Sequence, residues 1–376
     1  MKKVLEGSRA VAETVKLVDP AVIAAYPITP QTHIVEELAK MVANGEIKSR
    51  YLEVESEFSA LSACIGATAT GFRSFTATSS QGLALMHEVL FAGAGMRLPL
   101  VMVVANRALS APINIWNDQQ DSISERDSGW IQIYVETVQE AVDSLLQAYK
   151  IAEETYVPVM VCMDGFYLTH VVEPVNMPEK KDVEKFLPKY SPKLAYLDPK
   201  KPMTQGGFAY PLPYMKSRKQ LSDSILGSAK NVKKVHDDFG KQFKRKYGNG
   251  FLEEYKNNRS VCIVAMGSVC GTIKEIVDKN KKVGLVRVRC FRPLPREEIE
   301  RALKNKKIVI VIDRDISMGN RGALFTEIRD SLYQLKKRPK IVNFIAGLGG
   351  VDISMEKIKK MIELSKKKDG EMEWVI

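Results

Sequence analysis

A chain of 376 residues is longer than one hydrophobic core usually serves, since single cores stop growing near about 250 to 300 residues, and two domains are expected. With 45% hydrophobic and 27% charged residues, and no apolar run near the roughly 20 residues a bilayer crossing needs, the composition excludes a membrane-spanning protein. The net charge of +11 divides into −8 over residues 1–170 and +19 over the rest, but runs such as Lys366-Lys367-Lys368 read as solvated helix ends, so neither nucleic acid nor a membrane is an expected partner.

The N-terminus, Met1-Lys2-Lys3-Val4-Leu5-Glu6, leads into a polar helical pattern with no apolar signal core, so a cytoplasmic location is expected. Short apolar runs at 22–26, 51–54, 72–77, 100–105, 131–135 and 157–163 predict strands, separated by helical patterns at 33–42, 58–69, 83–94 and 139–154. Alternation of this kind predicts a doubly wound, mostly parallel α/β sheet over residues 1–170. Prolines then crowd the chain (Pro174, Pro178, Pro188, Pro192, Pro199, Pro202, Pro211, Pro213), predicting a surface linker to about residue 215 and a charged helix from Arg218 to about Lys246. Linker and helix together span 171–255. A second, smaller α/β domain is expected over 256–376, with strands at 260–266, 283–289, 308–312 and 341–345 and a helix near 355–367.

The five cysteines, Cys64, Cys162, Cys262, Cys270 and Cys290, are odd in number and widely spaced, which argues against a disulfide framework and against zinc or iron–sulfur ligation on this chain. The four histidines (His33, His87, His170, His236) show no metal-ligand spacing, and no metal site is expected here.

Ligands of open parallel sheets bind beyond the carboxyl ends of the strands. Four predicted loops fall there: Tyr26-Pro27-Ile28-Thr29-Pro30, Glu53-Val54-Glu55-Ser56-Glu57, Thr76-Ala77-Thr78-Ser79-Ser80-Gln81-Gly82, and Asn106-Arg107. Individually they have ordinary readings. Thr29 suits a turn, Glu57 the first turn of a helix, Ser79 or Ser80 a helix cap, and Arg107 a solvated surface. Their coincidence on one edge supplies a carboxylate, a guanidinium and hydroxyls suited to a small anionic substrate.

The same stretches carry a family resemblance. With Ile115-Trp116-Asn117-Asp118-Gln119-Gln120-Asp121, Ala195-Tyr196-Leu197-Asp198-Pro199, Met266-Gly267-Ser268, Phe291-Arg292-Pro293-Leu294-Pro295, Asp315-Ile316-Ser317-Met318-Gly319 and Ile345-Ala346-Gly347-Leu348-Gly349-Gly350, they resemble the alpha subunits of the pyruvate:ferredoxin oxidoreductase family, a branch of the 2-oxoacid:ferredoxin oxidoreductases. The resemblance covers nearly the whole chain. It implies a pyrimidine-binding thiamine-diphosphate domain followed by a transketolase-C-terminal-like domain. Glu57 matches the glutamate that faces the pyrimidine N1′ and favours the imino tautomer, whose basic nitrogen takes the C2 proton of the thiazolium. Thr29 and Arg107 match positions holding the 2-oxoacid carboxylate and carbonyl, with Thr29 and Glu57 as cofactor contacts.

The implied reaction is oxidative decarboxylation of pyruvate with coenzyme A and ferredoxin; a branched substrate such as 2-oxoisovalerate and a non-catalytic scaffold are the alternatives. A Gly-Asp-Gly phosphate motif is missing, since Met163-Asp164-Gly165 lacks the leading glycine, and Asp164 reads as a strand-end turn residue. The resemblance therefore implies a split active site: a beta-type subunit bringing Mg²⁺, the diphosphate pocket and a [4Fe-4S] cluster, a gamma subunit, and a ferredoxin-like delta subunit.

Overall fold

The computed structural model describes residues 2–194 and 196–376; Met1 and Ala195, the first residue of the 195–199 motif, lie outside them. The chain opens not in a helix but in strand β1 (Lys2–Glu6), followed at once by helix α1 (Gly7–Val18). Then come β2 (Val22–Ala25), α2 (Thr32–Ala43), β3 (Arg50–Glu53), α3 (Glu57–Ala69), β4 (Ser74–Thr78), α4 (Ser80–Leu85), α5 (His87–Gly95) and β5 (Val101–Asn106). A short α6 (Gln120–Ser124), β6 (Ile131–Tyr134), α7 (Val138–Thr155) and β7 (Val159–Asp164) complete this part. Every residue of β5 and β7 is buried, as continuous apolar runs require in parallel strands covered on both faces. The 18-residue α7 starts where the Thr137 hydroxyl accepts the Glu140 N–H, and it stops at Tyr156 in the left-handed conformation.

The stretch expected to be linker is more ordered than its prolines suggest. It holds β8 (Val172–Asn176), paired antiparallel with β1, and α8 (Lys180–Phe186). The single charged helix expected from 218 to 246 is two helices, α9 (Pro211–Gly227), with proline in its first turn, and α10 (Ala229–Phe243), meeting at Ser228. Just beyond α10, Arg245 grips the buried Asp143 of α7 through Nε (2.6 Å) and Nη2 (2.7 Å).

The second part runs through β9 (Leu252–Tyr255), β10 (Val261–Ala265), α11 (Val269–Lys279), β11 (Val283–Val288), β12 (Cys290–Arg292), α12 (Arg296–Leu303), β13 (Ile308–Asp313), α13 (Ala323–Ser331), β14 (Lys340–Ala346), α14 (Met355–Ser365) and β15 (Met372–Val375). Its six-stranded sheet has the order β15-β14-β13-β10-β11-β9, parallel except for β9. The first part forms a seven-stranded sheet ordered β12-β6-β7-β5-β4-β2-β3, parallel except for β12, which comes from the second part. All ten predicted strands are present; β1, β8, β9, β12 and β15 are additional.

Around β12 the two sheets are joined by buried charge. Arg287 and Arg289, both without solvent exposure, reach across to Glu140 of α7, with Nη1 of Arg287 2.7 Å from one carboxylate oxygen and Nε of Arg289 2.8 Å from the other. Burial alone pushes the Glu140 carboxyl upward, yet the two guanidiniums hold it below the ordinary glutamate range. All five cysteines are buried with free thiols, and among the described residues no helix is long and apolar enough to cross a membrane.

Candidate functional site at one sheet edge

Strands β3, β2, β4 and β5 lie side by side and parallel, so their carboxyl ends, and the four loops singled out in the sequence, open on one edge. Glu57 is the first residue of α3, whose entry is capped by the Ser56 hydroxyl accepting the Ser59 N–H. The Glu57 side chain turns inward and is only 6% exposed, and burial raises its pKa above the ordinary carboxylate value. It can lie there because residue 82 is glycine. A Cβ on Gly82 would sit 2.5 Å from Glu57 Oε1 and 2.6 Å from Thr78 Oγ1. Among the described residues the buried hydroxyls of Thr76 and Thr78 find no hydrogen-bond partner, and neither does Asn106 Oδ1. Buried polar groups of this kind mark places where a ligand's polar atoms can be received.

Arg107 closes the other side. Its Nη1 donates to the Thr29 carbonyl at 3.0 Å and its Nε to the Asn114 carbonyl at 2.8 Å, while Nη2 has no protein partner among the described residues. The solvated arginine of the isolated sequence reading is in fact only 6% exposed. Burial pulls its pKa down and the nearby Asp121 opposes that pull. Asp121, to which the sequence assigned no role, organises this corner: its carboxylate accepts the backbone N–H of Ser80 (2.9 Å), Arg107 (3.0 Å) and Ser122 (2.7 Å) and the Asn106 amide (2.7 Å). Burial pushes its pKa up to about 7 against those donors. Ser79 stands at the start of α4 without capping it; its hydroxyl donates instead to the Ala105 carbonyl, 2.7 Å away, tying α4 to β5. Thr29 has an exposed side chain on the turn after β2.

The second part of the chain supports this edge from behind. Asp164, at the end of β7, is a buried clasp, accepting from Arg314 Nη1 at 2.8 Å, the Ser268 N–H at 2.8 Å and Gln119 Nε2 at 3.3 Å. The segment between Arg107 and α6 is pinned to the Gly347–Gly350 turn: Asn114 donates to the Gly349 carbonyl (3.1 Å), Asp118 accepts the Gly349 N–H (3.1 Å) and the Gly350 N–H reaches the Asn117 carbonyl (2.7 Å). The Met266-Gly267-Ser268 and Asp315–Gly319 stretches quoted from the sequence sit at this junction, where the Ile316 N–H donates to Gln120 Oε1 at 2.9 Å. The rim outside is apolar and open, with Leu52, Phe58, Leu85, Ile113 and Trp116 exposed. Three residues the sequence did not connect, Glu6, His33 and His170, also converge, on a neighbouring face.

Residues 13–237 match the family described as pyruvate flavodoxin/ferredoxin oxidoreductase, thiamine-diphosphate-binding, and residues 260–358 match pyruvate:ferredoxin oxidoreductase core domain II. The chain is 56% identical to pyruvate synthase subunit PorA of Methanocaldococcus jannaschii, over 99% of this chain and 97% of that one. It is 45% identical to ketoisovalerate oxidoreductase subunit VorA of Pyrococcus abyssi, over 100% of this chain and 97% of that one. In fold it resembles the 2-oxoglutarate:ferredoxin oxidoreductase of Magnetococcus marinus, with a TM-score of 0.74 and 19% identity, covering 97% of this chain and 65% of that chain.

Proposed function

The chain belongs to the pyruvate flavodoxin/ferredoxin oxidoreductase family, and on that premise we propose that it is the subunit of a thiamine-diphosphate-dependent pyruvate synthase that supplies the aminopyrimidine-binding and substrate-carboxylate-binding half of the active site. The complex converts pyruvate, coenzyme A and oxidised ferredoxin reversibly to acetyl-CoA, CO₂ and reduced ferredoxin. In this reading residues 1–170 are the pyrimidine-binding domain, 171–255 a strap over it, and 256–376 the transketolase-C-terminal-like domain. The observation that carries the proposal is the Glu57 carboxylate, buried against Gly82 beside an unpartnered Thr78 hydroxyl.

Those residues fit the cofactor's polar ring: a desolvated carboxylate to face one ring nitrogen, orphaned hydroxyls for its other polar atoms, and a glycine cradle where a side chain would block approach. When bound, thiamine diphosphate supplies the carbon nucleophile and electron sink that a 2-oxoacid needs to lose CO₂. Glu57 does the proton work at the ring nitrogen, its carboxyl raised above the ordinary glutamate value by burial. Thr29 and the free Nη2 of Arg107 hold the pyruvate carboxylate and carbonyl oxygen, the guanidinium arriving with its Nε and Nη1 already committed to the loops it braces. Excluding water at this edge falls to a partner laid over the exposed apolar rim of Leu52, Phe58, Leu85, Ile113 and Trp116.

That partner, in our reading, is a beta-type subunit carrying Mg²⁺, the diphosphate pocket and a [4Fe-4S] cluster, with gamma and ferredoxin-like delta subunits completing a cytoplasmic complex. Identity of 56% to a pyruvate synthase subunit against 45% to a ketoisovalerate oxidoreductase subunit favours pyruvate over a branched 2-oxoacid. Native purification with subunit identification, followed by a viologen-linked assay on pyruvate and 2-oxoisovalerate, tests partner and substrate together. Glu57→Gln in that complex is expected to abolish turnover while assembly and cofactor loading persist; near-normal turnover refutes the assignment.

A further inference from the structure

We propose that Glu6, His33 and His170 form a binding site for a divalent transition metal of the zinc class. The fold brings them together from three separate elements. Glu6 ends β1, and β1 pairs with β8 so that Glu6 stands opposite Val172, which puts His170 just ahead of that register. The backbone is fixed on both sides of the crossing, with Gly7 N–H on the Val171 carbonyl (3.0 Å) and Ser8 N–H on the Thr169 carbonyl (2.8 Å). His33 comes from the first turn of α2, which packs against α1. One donor atom from each of the three residues lies within 4.8 Å of the others, and His33 Nδ1 is 2.7 Å from Glu6 Oε1.

The surroundings prepare these groups as ligands. His170 Nδ1 lies 2.7 Å from the Thr169 hydroxyl, which is itself held by the Phe166 N–H at 2.8 Å. With Nδ1–H donating to that oxygen, Nε2 presents its lone pair, the outer arrangement that orients metal-binding histidines. Phe166 lies against the His170 ring, centroids 4.7 Å apart, and the two imidazole centroids are 4.5 Å apart with their planes tilted by 37°. Two imidazoles and one carboxylate select zinc, cobalt, nickel or copper over magnesium and calcium, which demand oxygen ligands. Tetrahedral coordination needs donor separations of roughly 3.4 Å, so binding requires the three donors to adjust from their present spread of up to 4.8 Å. A hollow of about 240 Å³ lined by Glu6, His33, Glu36, Glu37, Arg9 and Lys40 reaches two of the three donors from the solvent side.

The site is tested on the untagged full chain, stripped with chelator and titrated with Zn²⁺ by calorimetry and with Co²⁺ by visible absorption. Saturable binding of one equivalent at about micromolar affinity or tighter, with ligand-field bands from Co²⁺, is expected. His33→Ala and Glu6→Gln, at partly exposed positions, should weaken it at least about 10-fold while leaving the circular dichroism of the metal-free chain unchanged. His87→Ala, whose ring pairs with Glu125 elsewhere, should bind as the parent does. Absence of one-equivalent binding, or equal affinity in the His33→Ala and His87→Ala chains, overturns the proposal and leaves a hydrogen-bonded His–Glu pair with adjacent rings.

Discussion

A methyl group at position 82 separates the chemical role of Glu57 from its contribution to stability. Gly82 lies within α4 at an ordinary helical angle, so alanine there improves helix propensity by about 1 kcal/mol. Against this, its Cβ would meet Glu57 Oε1 at 2.5 Å, Thr78 Oγ1 at 2.6 Å and Glu57 Cγ at 2.7 Å. Overpacking of a well-filled site costs about 1 to 3 kcal/mol, and since Thr78 Oγ1 and Glu57 Cγ are not the far ends of flexible side chains, a net cost of up to about 2 kcal/mol remains after the helix-propensity gain. Restoring an ordinary contact of 3.4 Å moves the carboxylate by about 0.9 Å. A displacement near 1 Å from productive geometry costs on the order of 100-fold in rate. Thermal unfolding of the Gly82→Ala complex should thus match the parent within a few degrees, while pyruvate-dependent viologen reduction falls about 100-fold. Gly66→Ala in α3, where a Cβ meets nothing within 4 Å, is the control: it should leave turnover unchanged and raise thermal stability by the helix-propensity gain of about 1 kcal/mol. Normal turnover in Gly82→Ala would refute the claim that the position of this carboxylate sets the rate.

Arg107→Ala should raise the KM for pyruvate by roughly 10- to 100-fold, the value of one charge-assisted contact, while thiamine-diphosphate affinity measured by fluorescence quenching stays near that of the parent; the opposite pattern assigns the arginine to the cofactor. Arg314→Met, which leaves buried Asp164 short of its cation, should cost about 3 to 5 kcal/mol in urea unfolding, and adding Asp164→Asn should recover most of it. Glu140, held below its unfolded pKa by Arg287 and Arg289, stabilises the fold fully above the ordinary glutamate value and loses that contribution as pH falls through its lower folded value. A melting-temperature profile across that acid window should be steeper in the parent than in Glu140→Gln, and coincident slopes would contradict the linkage.

Much of the architecture is readable in the residues because parallel strands buried on both faces are continuous apolar runs: Val101–Asn106 and Val159–Asp164 could hardly be anything else. The strands left unread lack that signal. β1 and β8 pair residue 2 with residue 176 and fully bury only one residue each, while β12 is three residues long, and its place in the first sheet depends on a partner far away in sequence. The prolines of 171–215 do bound a region of little periodicity, but they also open α9, where a missing N–H costs nothing. At the edge, parallel strand order is enough to put Thr29, Glu57 and Arg107 on one side of the sheet, where Arg107 meets the Thr29 carbonyl. What spacing could not disclose is which side chains turn inward. Arg107 reads as one basic residue among many until Thr29 and Asn114 are seen to accept from it, and Asp121 gains meaning only from the N–H groups pointed at it.

Residues 290–292 leave their own sheet to complete the other one, and Arg287 and Arg289 are riveted across the same seam. Two bodies stitched in this way resist swinging apart as a hinged jaw would, because opening would strip a strand from its ladder and pull apart ion pairs made in a buried, close-fitted seam. On the proposed reading of the Glu57 edge, this chain acts there as a fixed wall, and any opening between its two sheets is ruled out as the route in.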